Sequence, residues 1–274
     1  MKGLSPMPWS QVFSSSIWKF GRHGTAAQLV DNQITHWTYE RAIAACLRRD
    51  GLLSIAVVGA NDGKFGDPLY PILTADNQIR LRTKVLLIEP QPPLIPILEQ
   101  NYAFHPNAVV KNCAIGSQNK LKLYAIKEEY WPRVQPSYAS GWPPYRAPTG
   151  VTSSNKQHVV SWLERHLPGV PPESCLDSFE VDTFVLPQLL ETVGWPAQID
   201  VLQIDAEGND DAVIDACRIS ETQPALILYE QKHLSPEKAL TVAGHLTGLG
   251  YFLVPKGKDV LAMRVGPSSI SGHP

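Results

Sequence analysis

An apolar run over residues 52–58 ends in the turn Gly59-Ala60-Asn61-Asp62-Gly63, and this junction constrains the chain more than any other feature. An uncharged run of strand length, closed by glycine, reads as a strand buried on both faces of a parallel sheet. Glycine lets the backbone adopt dihedrals closed to other residues and come close to a ligand. In open α/β sheets ligands sit at that place, outside the carboxyl ends of the strands. The turn has neither G-x-G-x-x-G nor G-K-[ST], so it lacks the marks of a dinucleotide or triphosphate cradle. A glycine turn without phosphate chemistry suits a smaller cofactor such as S-adenosylmethionine; a turn kept only for packing is the alternative.

A second buried strand, over 84–88, runs into Glu89-Pro90. A carboxylate there offers two adjacent acceptors to the hydroxyls of a ribose. Pro90 stops the strand. A third strand is expected over 108–115 before Gly116, with the Asn112 amide, donor and acceptor at once, suited to an adenine edge. The fourth, over 199–205, leads into Asp205-Ala206-Glu207-Gly208-Asn209-Asp210. Carboxylates crowded in this way are costly unless a cation, a metal or several donors face them. An ammonium or sulfonium supplies that charge.

Together these four elements resemble the FkbM family of S-adenosylmethionine-dependent methyltransferases. The resemblance covers roughly residues 53–265. It is carried by Gly59-Ala60-Asn61-Asp62-Gly63, Asp67-Pro68, Ile88-Glu89-Pro90, Asn112-Cys113-Ala114-Ile115-Gly116 and Ile204-Asp205-Ala206-Glu207-Gly208. Many members of the family have Asp where Val57 stands here and Lys where Gln203 stands. Those departures bear on contacts to the methionine end of the cofactor, not on its class. The resemblance implies an α/β, Rossmann-like class I methyltransferase fold with a mostly parallel sheet and an antiparallel C-terminal hairpin. It also implies S-adenosylmethionine as cofactor, held by Gly59, Ala60, Asn61, Asp62, Gly63, Asp67, Glu89, Pro90, Asn112, Ala114 and Asp205. The implied acceptor is a saccharide or other natural product.

If the acceptor is a hydroxyl, its proton must leave and a nearby base helps. Asp205 ends its strand and is assigned to the methionine ammonium, which leaves Glu207 as an acceptor contact or base. A plain helix cap is the alternative for Glu207. Histidine is suited to proton transfer by its near-neutral pKa. His158 follows a polar turn and His233 follows Glu230 just past the fifth strand; either is otherwise a surface residue, as is Lys156. The catalytic candidates are therefore Asp205, Glu207 and His158, and the acceptor-binding candidates Trp142, His158, Glu207, Glu230 and His233. No metal ligands are assigned.

Composition narrows the class. Lys and Arg number 24 against 26 Asp and Glu, a net charge of −2, so no basic stripe is available for nucleic acid. Cys46, Cys113, Cys175 and Cys217 form no C-x-x-C pair and read as small core residues in a reducing compartment, with no zinc site. The sequence shows neither a secretory signal pattern nor an apolar span, so a cytoplasmic protein without membrane contact is expected.

Two units are expected: an irregular segment and helix over 1–50, and a methyltransferase domain over 51–274. The helix is placed over 39–49 and closed at Gly51. Strand and helix alternate to residue 115. The alternation then breaks over about 117–198, where strand-like runs at 121–126 and 179–184 flank an aromatic, proline-rich run with Tyr130, Trp131, Tyr138, Trp142 and Tyr145. An aperiodic insertion with so many aromatics is a lid over the acceptor or a subunit interface, so a homo-oligomer stays open. Runs over 251–254 and 259–265, about Gly257, read as a terminal hairpin. The rival readings are a nucleotide-sugar oxidoreductase, opposed by the missing G-x-G-x-x-G and by the hairpin, and a non-catalytic cofactor-binding protein, opposed by the retained acids.

Overall fold

Apolar runs of strand length build the central sheet in the computed structural model, which describes residues 37–47 and 51–264. In chain order the strands are β1 (Leu53–Val58), β2 (Thr83–Ile88), β3 (Ala108–Lys111), β4 (Ala114–Ile115), β5 (Lys120–Ile126), β6 (Leu176–Phe184), β7 (Val201–Ile204), β8 (Leu226–Glu230), β9 (Tyr251–Lys256) and β10 (Asp259–Arg264). Seven of them form one sheet in the order β3-β2-β1-β7-β8-β10-β9. β1 pairs in parallel with β2 on one side and β7 on the other, so the winding reverses beside it. That reversal opens the crevice in which doubly wound sheets bind ligands. β10 runs antiparallel to β8 and β9, which confirms the terminal hairpin.

Alternation along the strands sorts side chains onto two cores. Ala56, Val58, Leu86, Ile88, Leu202 and Ile204 face one side, packed against helices Leu186–Thr192, Asp210–Ala216 and Pro236–Gly248. Ile55, Val57, Val85, Leu87 and Val201 face the other, against helices Tyr39–Cys46, Leu69–Ala75 and Ile95–Tyr102. All six residues of β1 are buried, as a strand covered on both faces requires. Val57 stands opposite Gln203 in register, and the buried Gln203 amide donates to Asp67 Oδ2 over 2.9 Å.

Three expectations are corrected. The run 108–115 is not one strand: β3 stops at Lys111, and β4 joins β6 in a second, three-stranded sheet. The break falls at Asn112, whose amide donates to the Glu89 carbonyl over 2.9 Å and turns the chain across the end of β2. The first helix covers Tyr39–Cys46; Arg48 to Asp50 and the segment 1–36 lie outside the described residues. The insertion bears out its strand-like runs at 121–126 and 179–184, but its aromatic run is not an aperiodic loop. It carries β5 and β6, 3-10 turns Glu128–Arg133 and Ser137–Ala139, and helices Arg146–Thr149 and Lys156–His166. These enclose a core of their own around Ile126, Val134, Val159, Trp162 and Leu163. Trp131 packs against that core and donates its indole N–H to the Ile126 carbonyl over 2.9 Å. Proline and local i→i+3 turns hide the periodicity that longer helices display. The four cysteines are free and buried.

Candidate active site

The sheet order sets four strand ends side by side. Glu89 follows β2, Gly59 follows β1, Asp205 follows β7, and Glu230 closes β8. Between them and the insertion lies an open cleft of about 710 Å³. Its wall includes Gly59, Asn61, Glu89, Pro90, Ala114, Asp205 and Glu207 from the sheet side.

Gly59 is what lets the cleft exist. Its φ is +76°, and a Cβ there would stand 1.9 Å from the Asp205 carbonyl oxygen. Backbone amides of Gly59 and Ala60 both donate to the Ile88 carbonyl over 3.0 Å, and Asp205 N–H donates to Val58 over 3.0 Å. The three strand ends are thus tied into one floor. Asn61 follows in the left-handed region at φ 50°, a conformation asparagine tolerates better than most residues.

Glu89 is 2 % exposed. Its Oε2 accepts the Asn61 N–H over 2.7 Å, and its Oε1 accepts the Gln91 backbone and side-chain N–H groups over 2.9 and 3.1 Å. Burial pushes its pKa up to about 7, against the pull of those donors and of Arg146. A carboxylate has about four lone-pair sites, so acceptor capacity is left for a ribose hydroxyl. Affinity for S-adenosylmethionine is therefore expected to rise with pH through about 7, because the ionised form accepts better than the acid. A Glu89→Gln variant should lose that dependence and bind about 2–4 kcal/mol more weakly at alkaline pH. Calorimetry at several pH values decides; a flat wild-type profile removes Glu89 from the ribose contact.

The acids beyond β7 occupy a tight turn. Glu207 has φ 47° and Gly208 φ 88°, and a Cβ on Gly208 would lie 3.4 Å from His233 Cβ. Non-glycine residues rarely hold this conformation, and such strain gathers at functional sites. Asp205 Oδ1 is buried without a hydrogen-bond partner. Burial raises its pKa, helped by the Glu230 charge, while Lys258 and Arg146 oppose. Glu207 is raised well above the usual range, first by burial and then by Asp205 and Glu230. Its Oε2 lies 4.0 Å from His158 Nε2 and 3.9 Å from His233 Nε2. The two imidazoles meet edge to face, centroids 5.3 Å apart. His233 Nε2 is also 3.6 Å from Glu230 Oε2. Burial, then the neighbouring His233, lowers the His158 pKa.

Not every residue singled out in the sequence faces the cleft. Asp62 Oδ1 caps the turn by accepting from Lys64 and Phe65 N–H, and its Oδ2 accepts the Tyr145 hydroxyl over 3.2 Å. Gly63 sits under Leu98 and Tyr102. Asp67 starts the following helix by accepting from Leu69 and Tyr70 N–H, and burial lifts its pKa to about 6. Ala60 and Asn112 are likewise outside the cleft wall, while Cys113 and Ile115 beside Asn112 line it. Trp142 packs near Phe65 and Arg146. His158, His233 and Glu230 stand behind Glu207, which alone of this cluster lines the cleft.

The insertion supplies wall residues that the sequence reading passed over: Leu121, Leu123, Arg146, Thr149, Thr152 and Ser153. Arg146 Nε donates to the Phe65 carbonyl over 2.7 Å and lies 3.6 Å from Asp62 Oδ1. Thr149 accepts the Asn61 amide over 3.2 Å, and Thr152 donates to Gln91 over 2.8 Å. An arginine set in an aromatic run, with an acid-rich sheet edge to face, was the available signal.

A mostly parallel seven-stranded sheet with an antiparallel end hairpin, and a glycine-floored cleft at its carboxyl edge, define a class I S-adenosylmethionine-dependent methyltransferase. The chain belongs to the FkbM methyltransferase family, whose Methyltransferase FkbM domain matches residues 58–253. No curated protein matches. Among solved structures the chain is similar to a precorrin-6y C5,15-methyltransferase from Geobacter metallireducens GS-15, with 9 % identity, 82 % of this chain and 87 % of that one covered, and a TM-score of 0.37. It is also similar to a SAM-dependent methyltransferase from Aquifex aeolicus, with 10 % identity, 86 % and 95 % coverage, and a TM-score of 0.37. The cofactor is S-adenosylmethionine. The lining is compatible with its chemistry: Glu89 is a buried acid and Asp205 Oδ1 a buried oxygen without a hydrogen-bond partner. Membership of this family overturns the oxidoreductase alternative. Among the described residues no helix is long and apolar enough to cross a membrane.

Proposed function

We propose that this chain methylates a hydroxyl oxygen of a saccharide or other small natural product. The observation that carries this reading is Glu207: it lines the cleft, with His158 and His233 at 4.0 and 3.9 Å from its Oε2 and Glu230 beyond His233 at 3.6 Å. A hydroxyl, unlike a sulfide or a neutral amine, must shed a proton as it is methylated, and a carboxylate with a raised pKa is suited to receive it. S-adenosylmethionine, when bound, supplies the methyl group on a sulfonium. Glu89, Pro90 and Gly59 would hold its nucleoside side, and Asp205 would pair with its methionine ammonium. Glu207 meets the acceptor oxygen and takes its proton. The insertion, through Arg146 to Ser153, closes the wall over the reacting groups and excludes water.

The test is methyl transfer from labelled S-adenosylmethionine to a panel of sugars, glycosides and hydroxylated polyketides, with the new methyl located by NMR. Transfer to oxygen supports the reading. A methyl on nitrogen or carbon overturns it, and cofactor binding with no transfer to any acceptor favours the non-catalytic alternative.

A further inference from the structure

The cluster behind Glu207 has the donor set of a metal site. Glu207, Glu230 and His233 each present one ligand atom, all within 4.8 Å of one another. His233 Nε2 stands 3.6 Å from Glu230 Oε2 and 3.9 Å from Glu207 Oε2, too far for hydrogen bonds. Ligand atoms about 2.0–2.2 Å from a shared ion stand roughly 3.0–3.7 Å apart, so His233 and Glu230 already stand at such a spacing and Glu207 would move inward to complete the shell. Two carboxylates and an imidazole form a mixed oxygen and nitrogen set, which suits manganese or zinc better than magnesium or calcium.

The surroundings are built for such an ion. Lys258 Nζ holds Glu230 Oε1 at 3.0 Å, which fixes the carboxylate with Oε2 turned toward His233. His158 Nε2 has no exposed surface and no hydrogen-bond partner, and it faces Glu207 Oε2 across 4.0 Å. Asp205 Oδ1 is a second buried atom left without a partner at the same edge. The side chains of Glu207 and His233 are 25 % and 31 % exposed, which leaves an entry path from solvent. Orphaned polar atoms around a gap bordered by carboxylates are stabilised by a cation at its centre.

We propose that Glu207, Glu230 and His233 bind one divalent transition-metal ion, of the manganese or zinc type, beside the acceptor end of the cleft. Such an ion would supply Lewis-acid chemistry to an oxygen entering from the cleft. His158 stands outside the ligand set, with its Nε2 4.0 Å from Glu207 Oε2. The site does not depend on the identity of the acceptor.

Manganese titration of the full-length, metal-stripped chain, followed by electron paramagnetic resonance, tests it without any methyl acceptor. One saturable Mn2+ per chain is expected, displaced by Zn2+. His233→Ala, a change at a partly exposed side chain, and the isosteric Glu207→Gln should each weaken the site at least tenfold. Calorimetry with S-adenosylmethionine on the same samples reports whether each variant is folded, and separates failure of the metal site from failure of the methyltransferase reading. Absence of saturable binding, or equal binding by wild type and both folded variants, overturns the proposal.

Discussion

A Gly59→Ala variant is expected to lose S-adenosylmethionine binding and about 3 kcal/mol or more of stability. Two independent penalties meet at this residue. The backbone holds φ at +76°, which an L side chain adopts at a cost, and the added Cβ would stand 1.9 Å from the Asp205 carbonyl oxygen and 2.9 Å from its carbon. Both contacts are backbone, so no side chain can turn aside. Relief requires the end of β7 to move, yet that end is held by the Asp205 N–H bond to Val58 and by the pairing of Val58 with Ile204. Moving it carries Asp205 and Glu207 away from the cleft. Gly194→Ala is the control: its φ is +69°, but open space surrounds the added atom, so only the conformational cost of about 1 kcal/mol applies. Thermal unfolding and calorimetry on both variants measure the contrast. Wild-type affinity in Gly59→Ala would show that the turn is a packing feature.

The parts of this arrangement that the sequence displays are the ones made of contiguous residues. The buried strands announce themselves because residues covered on both faces must all be apolar, and β1, with every residue buried, is the clearest case. Acids at strand ends, Glu89 and Asp205, stand out because nothing in the local packing calls for a charge there. Asn112 and Asp67 were equally visible, yet their side chains serve the backbone, one on the Glu89 carbonyl and the other on the helix from Leu69. A polar residue at a strand end signals a special position without saying whether ligand or backbone uses it. The strand-like runs of the insertion were legible at 121–126 and 179–184, but its tertiary arrangement was hidden for a different reason. Its fold rests on short helices, 3-10 turns and the pairing of β5 with β6, which lie some 50 residues apart in the chain. Contacts that distant leave no periodic trace, and Arg146 and Thr149 reach the cleft only through them.

Asp205 and Glu207 are expected to separate cleanly in kinetics. Glu207→Gln should lower turnover by about 10²–10³ while leaving S-adenosylmethionine affinity within about twofold, the size of effect lost with a general base. Asp205→Asn should do the reverse and weaken cofactor binding by about 1.5–3 kcal/mol, the range for a hydrogen bond to a charged group. The geometry explains the division. Asp205 is fixed by its own backbone against Val58 at the centre of the floor, and its Oδ1 is buried and unpartnered. Glu207 lies two residues further out, in a left-handed turn that points its carboxylate toward His158 and His233. Crowding with Asp205 and Glu230, added to burial, raises the Glu207 pKa well above that of a free carboxylate. A base must be ionised to act, so in the metal-free protein wild-type turnover should climb with pH as this group loses its proton, and the climb should vanish in Glu207→Gln. Rapid-quench measurement of the transfer step across pH, with an identified acceptor, tests both halves. Full turnover in Glu207→Gln with the pH dependence intact would reduce Glu207 to a turn residue and move the proton transfer elsewhere.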